Sequence, residues 1–144
     1  AFMLGPNGKV LSKEHFVFYN NLQSPEGCIV HTGDNLTGEG DGDDESLLVD
    51  LSKLPAGCES IVFVVTIHDA SERGQNFGQV RNAFIRIFDT NTSEEIMKFD
   101  LGEDFSIETA VEFGTLYQKE GMWKFRAVGA GYSEGLQKFV NQYV

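Results

Sequence analysis

A chain of 144 residues with twelve Phe, four Tyr and one Trp carries enough bulky apolar material to bury a core without staples, which excludes intrinsic disorder. Its formal net charge of −11, from 22 acidic and 11 basic residues, would be repelled by nucleic-acid phosphates and by anionic membranes, so neither is an expected partner. No apolar run approaches the roughly 20 residues that span a bilayer, and no direct membrane insertion is expected.

Short β-branched and aromatic runs separated by turn residues dominate the chain, which is the all-β pattern. Residues 1–4 predict a strand that enters the turn Gly5-Pro6-Asn7-Gly8. Residues 15–20 (HFVFYN) predict a second strand, and a turn at 24–27 leads into a third at 28–32. Strands follow at 46–51 (SLLVDL) and 60–67 (SIVFVVTI). The latter is apolar on both faces, which places it inside a sheet. Residues 69–80 (DASERGQNFGQV) are polar without alternation and predict a loop or a single helical turn. Residues 83–88 and 95–101 flank the polar turn 89–93 as a hairpin. Residues 111–117 and 123–128 flank 119–121. There Trp123, Phe125 and Ala127 alternate with Lys124 and Arg126, giving a strand with one wet face. Near the end, Leu136, Phe139, Val140 and Tyr143 make one helical stripe, with Ser133 as N-cap and Glu134 as first-turn acid. The expected fold is an all-β sandwich of two packed, mostly antiparallel sheets with a short C-terminal helix, one domain over residues 1–144. Cys28 and Cys58 are too few for a disulfide framework, and free thiols are expected.

One segment breaks the general pattern of surface charge. Six of the 22 acids fall in residues 34–45, with no Lys or Arg among them. Asp41, Asp43, Asp44 and Glu45 occupy four of five consecutive positions, with Glu39 and Asp34 upstream. Adjacent carboxylates repel by about 1 kcal/mol per pair in water, and by more beside a low-dielectric wall. Gly33, Gly38, Gly40 and Gly42 let the backbone curl, which gathers carboxylate and carbonyl oxygens together. Convergent oxygens suit calcium, with magnesium second, and the absence of Cys and His from the segment disfavours soft metals. The alternative is a solvated acidic loop. Asp34 and Glu45 have the spacing of the first and last EF-hand ligands, but Leu36 replaces a ligand and Glu39 replaces the bend glycine, so the segment is not an EF-hand.

Five blocks in order resemble the TerD family of tellurium-resistance and stress-response proteins: GDNLTGEGDGDDE (33–45), FVVTIHDA (63–70), FGQVRNAFIRI (77–87), ETAVEFGTLY (108–117) and WKFRAVGAGY (123–132). The resemblance covers essentially the whole chain. It implies a calcium-binding β-sandwich, bacterial and cytoplasmic, with no established enzymatic activity. Members associate with other tellurium-resistance proteins, including a membrane partner, and a related branch is reported to bind cyclic AMP. The family also carries an N-terminal FDLDAS-type segment whose aspartates are expected to join the calcium sites. Ala1-Phe2-Met3-Leu4 matches the stretch immediately after that segment, so an N-terminally incomplete domain is expected. Carried over residue by residue, the resemblance implies Asp34, Asn35, Asp43, Asp44 and Glu45 as side-chain ligands of one or two Ca²⁺ ions. Gly38 and Gly40 are carbonyl candidates, Asp69 is expected to reach the same end of the sandwich, and Asp41 is a ligand or a screening charge. Asp104 and Glu108, in GEDFSIET, are candidates for a second site, with an ordinary loop role as the alternative.

The function expected is therefore a non-catalytic calcium-binding module of a tellurium-resistance or stress-response system. A metal-dependent phosphoester hydrolase and a cyclic-nucleotide-binding protein are the alternatives. Clustered carboxylates can hold two metals about 3.5–4 Å apart and activate water, but no basic group stands by to receive a phosphate. His31 is the nearest candidate base, and His68, beside Asp69, is the better placed.

Overall fold

Apolar and β-branched runs form eight strands among the residues described: β1 (Phe2–Leu4), β2 (Ile29–His31), β3 (Leu47–Val49), β4 (Ser60–Thr66), β5 (Phe84–Phe88), β6 (Glu95–Asp100), β7 (Ala110–Lys119) and β8 (Met122–Tyr132). A short helix, α1 (Leu136–Tyr143), follows β8. The computed structural model describes residues 1–32, 45–67, 70, 74–78, 84–101, 105 and 107–144. Strand order is β1-β4-β7-β8 in one sheet, with two-stranded sheets β2-β3 and β5-β6. The β1–β4, β2–β3 and β5–β6 pairs are antiparallel. This is the all-β class with a C-terminal helix that the periodicity predicts. β4 is internal in its sheet, as its two apolar faces require, with Ile61 and Val62 buried.

The chain divides into two compact units. One comprises Ala1–Val62, Thr115–Arg126 and Gln142–Val144; the other comprises Phe63–Gly114 and Ala127–Asn141. In the first, Phe2, Met3, Val17, Cys28, Ile29, Cys58 and Ile61 are fully buried. In the second, Phe77, Leu101, Phe105 and Val111 form a core against which Val65, Ile67 and Ile85 pack.

Local chemistry moves several element boundaries. The strand expected at 15–20 is absent. A 3-10 turn, Lys13–His15, opens the segment, and only isolated bridges Phe2↔Phe16 and Phe18↔Asn21 form. Asn21 is the cause: its side-chain amide donates to the carbonyls of Glu14 and Phe16. Its backbone also exchanges both hydrogen bonds with Phe18, at 3.0 Å each. Such side-chain capture of carbonyls competes with a ladder. β3 stops early for a related reason, because the Asp50 side chain caps a second 3-10 turn, Leu51–Lys53. The Ser52 hydroxyl, then its backbone N–H, holds the Asp50 carboxyl below its usual range.

β7 and β8 run longer than their apolar patterns. Glu120 at φ 55° and Gly121 at φ 77° form a two-residue turn whose twist matches that of the paired strands. On β8, Trp123 and Phe125 are half-buried and Lys124 and Arg126 exposed, as expected, but Ala127 is exposed. The alternation fails just before Gly129, whose φ of +62° breaks the pleat. The helix begins after Gly135, whose carbonyl accepts from Lys138 N–H at 3.1 Å. Ser133 therefore lies too far upstream to be the N-cap. Phe139 of the expected stripe is fully buried, edge-on to Tyr132. Of the loop or turn expected at 69–80, only Ala70 and residues 74–78 are described, and there Gln75 N–H donates to the Ala70 carbonyl at 2.9 Å.

Candidate metal centre

The β2–β3 pair fixes the two ends of the acidic segment. Its last register pair is His31↔Leu47. Beyond it, Thr32 N–H donates to the Ser46 carbonyl at 2.9 Å. Ser46 N–H in turn donates to the Thr32 hydroxyl at 3.0 Å. The segment between them thus starts and finishes at one place, which is what a chelating loop requires. Glu45 is the expected ligand that is described here. Its Oε2 lies 4.0 Å from His31 Nε2, the Glu side chain 45% exposed and the His side chain 10%. At that separation and exposure the attraction is weak. Asp34, Asn35, Gly38, Gly40, Asp41, Asp43 and Asp44 lie outside the described residues, as do Asp69, Asp104 and His68.

Glu108, the other described candidate, is held very differently. It belongs to the second unit and Glu45 to the first. Its carbonyl accepts from Phe77 N–H at 3.0 Å. The next residue, Thr109, accepts from Ile67 N–H at 3.0 Å and donates to the Tyr132 carbonyl at 2.9 Å. The backbone under Glu108 is therefore fixed from two sides. Its Oε2 is buried and has no hydrogen-bond partner among the described residues. Buried polar atoms are nearly always paired, and an unpaired carboxylate oxygen is costly. Beside it stands Gly131 of β8, where a Cβ would lie 2.7 Å from Glu108 Cγ and 2.9 Å from Phe105 Cδ1. An orphaned oxygen in a glycine cradle suits a hard cation, which takes oxygen ligands.

Among the described residues, no group of three or more His, Cys, Asp or Glu is arranged to hold a metal ion. The thiols offer no soft-metal alternative. Cys28 and Cys58 are free and buried. Burial, then the neighbouring Cys28 and Glu26, pushes the Cys58 thiol up to about 11. A thiol held protonated in this way is a poor nucleophile. His15 is also committed, with Nδ1 2.7 Å from Ser12 Oγ and Nε2 2.9 Å from Glu26 Oε2. Gly131 escapes sequence reasoning, although a glycine inside a strand signals close approach of a neighbour. No helix among the described residues is long and apolar enough to cross a membrane.

Comparison with known proteins places these features in a family. The TerD domain model matches residues 1–143. The tellurium resistance protein TerD of Serratia marcescens is 55% identical over 143 residues, 99% of this chain and 74% of that protein. General stress protein 16U of Bacillus subtilis (strain 168) is 54% identical over the same shares. A solved homologue of telluride resistance protein (TerD) from Streptomyces coelicolor A3(2) aligns with a TM-score of 0.80 at 19% identity, over 96% of this chain and 79% of that one. At that identity the likeness speaks for the fold.

Proposed function

The chain belongs to the TerD domain family, and from that premise we propose that it is a non-catalytic calcium-binding module of a tellurium-resistance or general stress response. The observation that carries the reading is the Glu108 Oε2 atom, buried without a partner among the described residues. The acidic segment 34–45, its ends tied at Thr32 and Ser46, supports it. Asp34, Asn35, Asp43, Asp44 and Glu45 with the Gly38 and Gly40 carbonyls hold the first ion. Glu108 serves a second, and Asp41, Asp69 and Asp104 complete the sets. Calcium, when bound, supplies the positive charge that offsets carboxylate repulsion.

The chain's own residues position the oxygens. Thr32 and Ser46 bring the ends of the acidic segment together, and Phe77, Ile67 and Tyr132 anchor the backbone at 108 and 109. In this reading the protein works in the cytoplasm beside other proteins of the same resistance system, one of them a membrane protein. Calorimetric titration of chelated protein tests it. Saturation at one or two equivalents, with a higher melting temperature, is expected. Absence of both heat and a melting shift at millimolar calcium would overturn it.

A further inference from the structure

We propose that Gly131 is the positioning residue for a cation ligand at Glu108. Lacking a Cβ, it lets the Glu108 side chain lie against β8 with Oε2 facing no donor among the described residues, the pose in which that oxygen serves a divalent cation. The inference rests on the calcium reading and adds to it a residue that itself touches no ion.

Three observations converge. First, glycine is not needed at 131 for its backbone. Gly129 sits at φ +62°, whereas Gly131 lies outside the left-handed region, in an extended strand that any residue can adopt. A glycine there weakens the strand for no conformational gain, so the reason lies in space. Second, that space is occupied. A Cβ would stand 2.7 Å from Glu108 Cγ, 3.2 Å from Glu108 Cδ and 2.9 Å from Phe105 Cδ1. Phe105 is locked in the core with Phe77, Leu101 and Val111 and meets Phe99 edge-on. The Glu108 side chain is the neighbour free to yield. Third, what the cradle preserves is a carboxylate oxygen with neither donor nor acceptor within reach among the described residues. A buried carboxylate oxygen without a partner among the described residues, held in place by a strand glycine, is the arrangement expected of a preorganised ligand.

The test is calcium titration of the full chain after chelation, with magnesium as competitor, for wild type, Gly131→Ala, Glu108→Gln and the double variant. Gly131→Ala is expected to weaken one equivalent at least tenfold and to leave any other equivalent within twofold. Glu108→Gln should lose the same equivalent, and the double variant should lose no more than either alone, because Gly131 acts only through Glu108. A purely structural glycine would instead lower the melting temperature of the chelated protein and leave calcium affinity within twofold, which overturns the proposal. Should Gly131→Ala fail to fold, Glu108→Gln, which keeps the side-chain shape, decides alone: wild-type binding in that variant refutes the inference. Wild-type protein that takes up no calcium sinks the parent reading. Calcium uptake unchanged in both variants sinks only this one.

Discussion

At the base of the acidic segment, Thr32 and Ser46 tie two strand ends together, and the one described candidate there, Glu45, has its side chain 45% exposed and its Oε2 4.0 Å from His31 Nε2. At Glu108 a single carboxylate is pressed into a wall, its backbone bonded on two sides and one oxygen left unpaired among the described residues. In the calcium reading the first region would reach cation affinity through numbers, with six acids in residues 34–45. The second would reach it through preorganisation, since one buried oxygen is held without a partner among the described residues. Charge density and burial are thus two routes to one ligand chemistry.

The largest expected effect acts on both regions together. At calcium one hundred times its Kd, binding adds about 2.7 kcal/mol of stability. Chelation should therefore lower the melting temperature by roughly 5–10 °C, measured by differential scanning calorimetry. Neutralising one carboxylate at a time separates the regions. In chelated protein, Glu108→Gln should raise stability by about 1 kcal/mol, because it replaces a carboxylate whose Oε2 is buried without a partner among the described residues by a neutral amide. Asp43→Asn should raise it by less than about 1 kcal/mol, the scale of repulsion between neighbouring carboxylates in water. Equal gains in urea denaturation would erase the distinction drawn between numbers and burial.

Smaller still is His31→Gln. With Glu45 at 4.0 Å and half in water, the change should cost under about 1 kcal/mol and leave calcium stoichiometry unaltered in the calorimeter. Loss of an equivalent would show that the histidine builds the site. A control lies outside both regions and has no effect at neutral pH. The Cys58 thiol loses its proton near 9 when unfolded and near 11 when folded. Between those values the folded chain holds the extra proton, so stability falls as pH rises from about 9 to 11. Cys58→Ala should flatten that slope in a series of melts.

Much of the fold is legible in the sequence because burial on a sheet imposes a period of two. SIVFVVTI reads as an internal strand, and the hairpins around Asp89–Ser93 and Glu120-Gly121 are marked by their turn residues. Where the reading fails, a polar side chain competes with the ladder. Asn21 takes carbonyls that would have extended HFVFYN into a strand, and Asp50 turns SLLVDL into a 3-10 cap. The helical stripe at 136–143 is plain, while its start depends on Gly135 rather than Ser133.

The candidate site divides in the same way. Crowded acids with regular glycines announce themselves, since repulsion between chain neighbours can be written down from spacing alone. Nothing in GEDFSIET says that one oxygen of Glu108 is orphaned, and nothing in GAGY says that the second glycine is needed for room. Local order along the chain thus determined the strand class, the tied acidic segment and the oxygen-rich chemistry. Only the tertiary structure decided which carboxylate is desolvated and which glycine makes space for it, because burial is set by residues far apart in sequence that packing brings within a few ångströms.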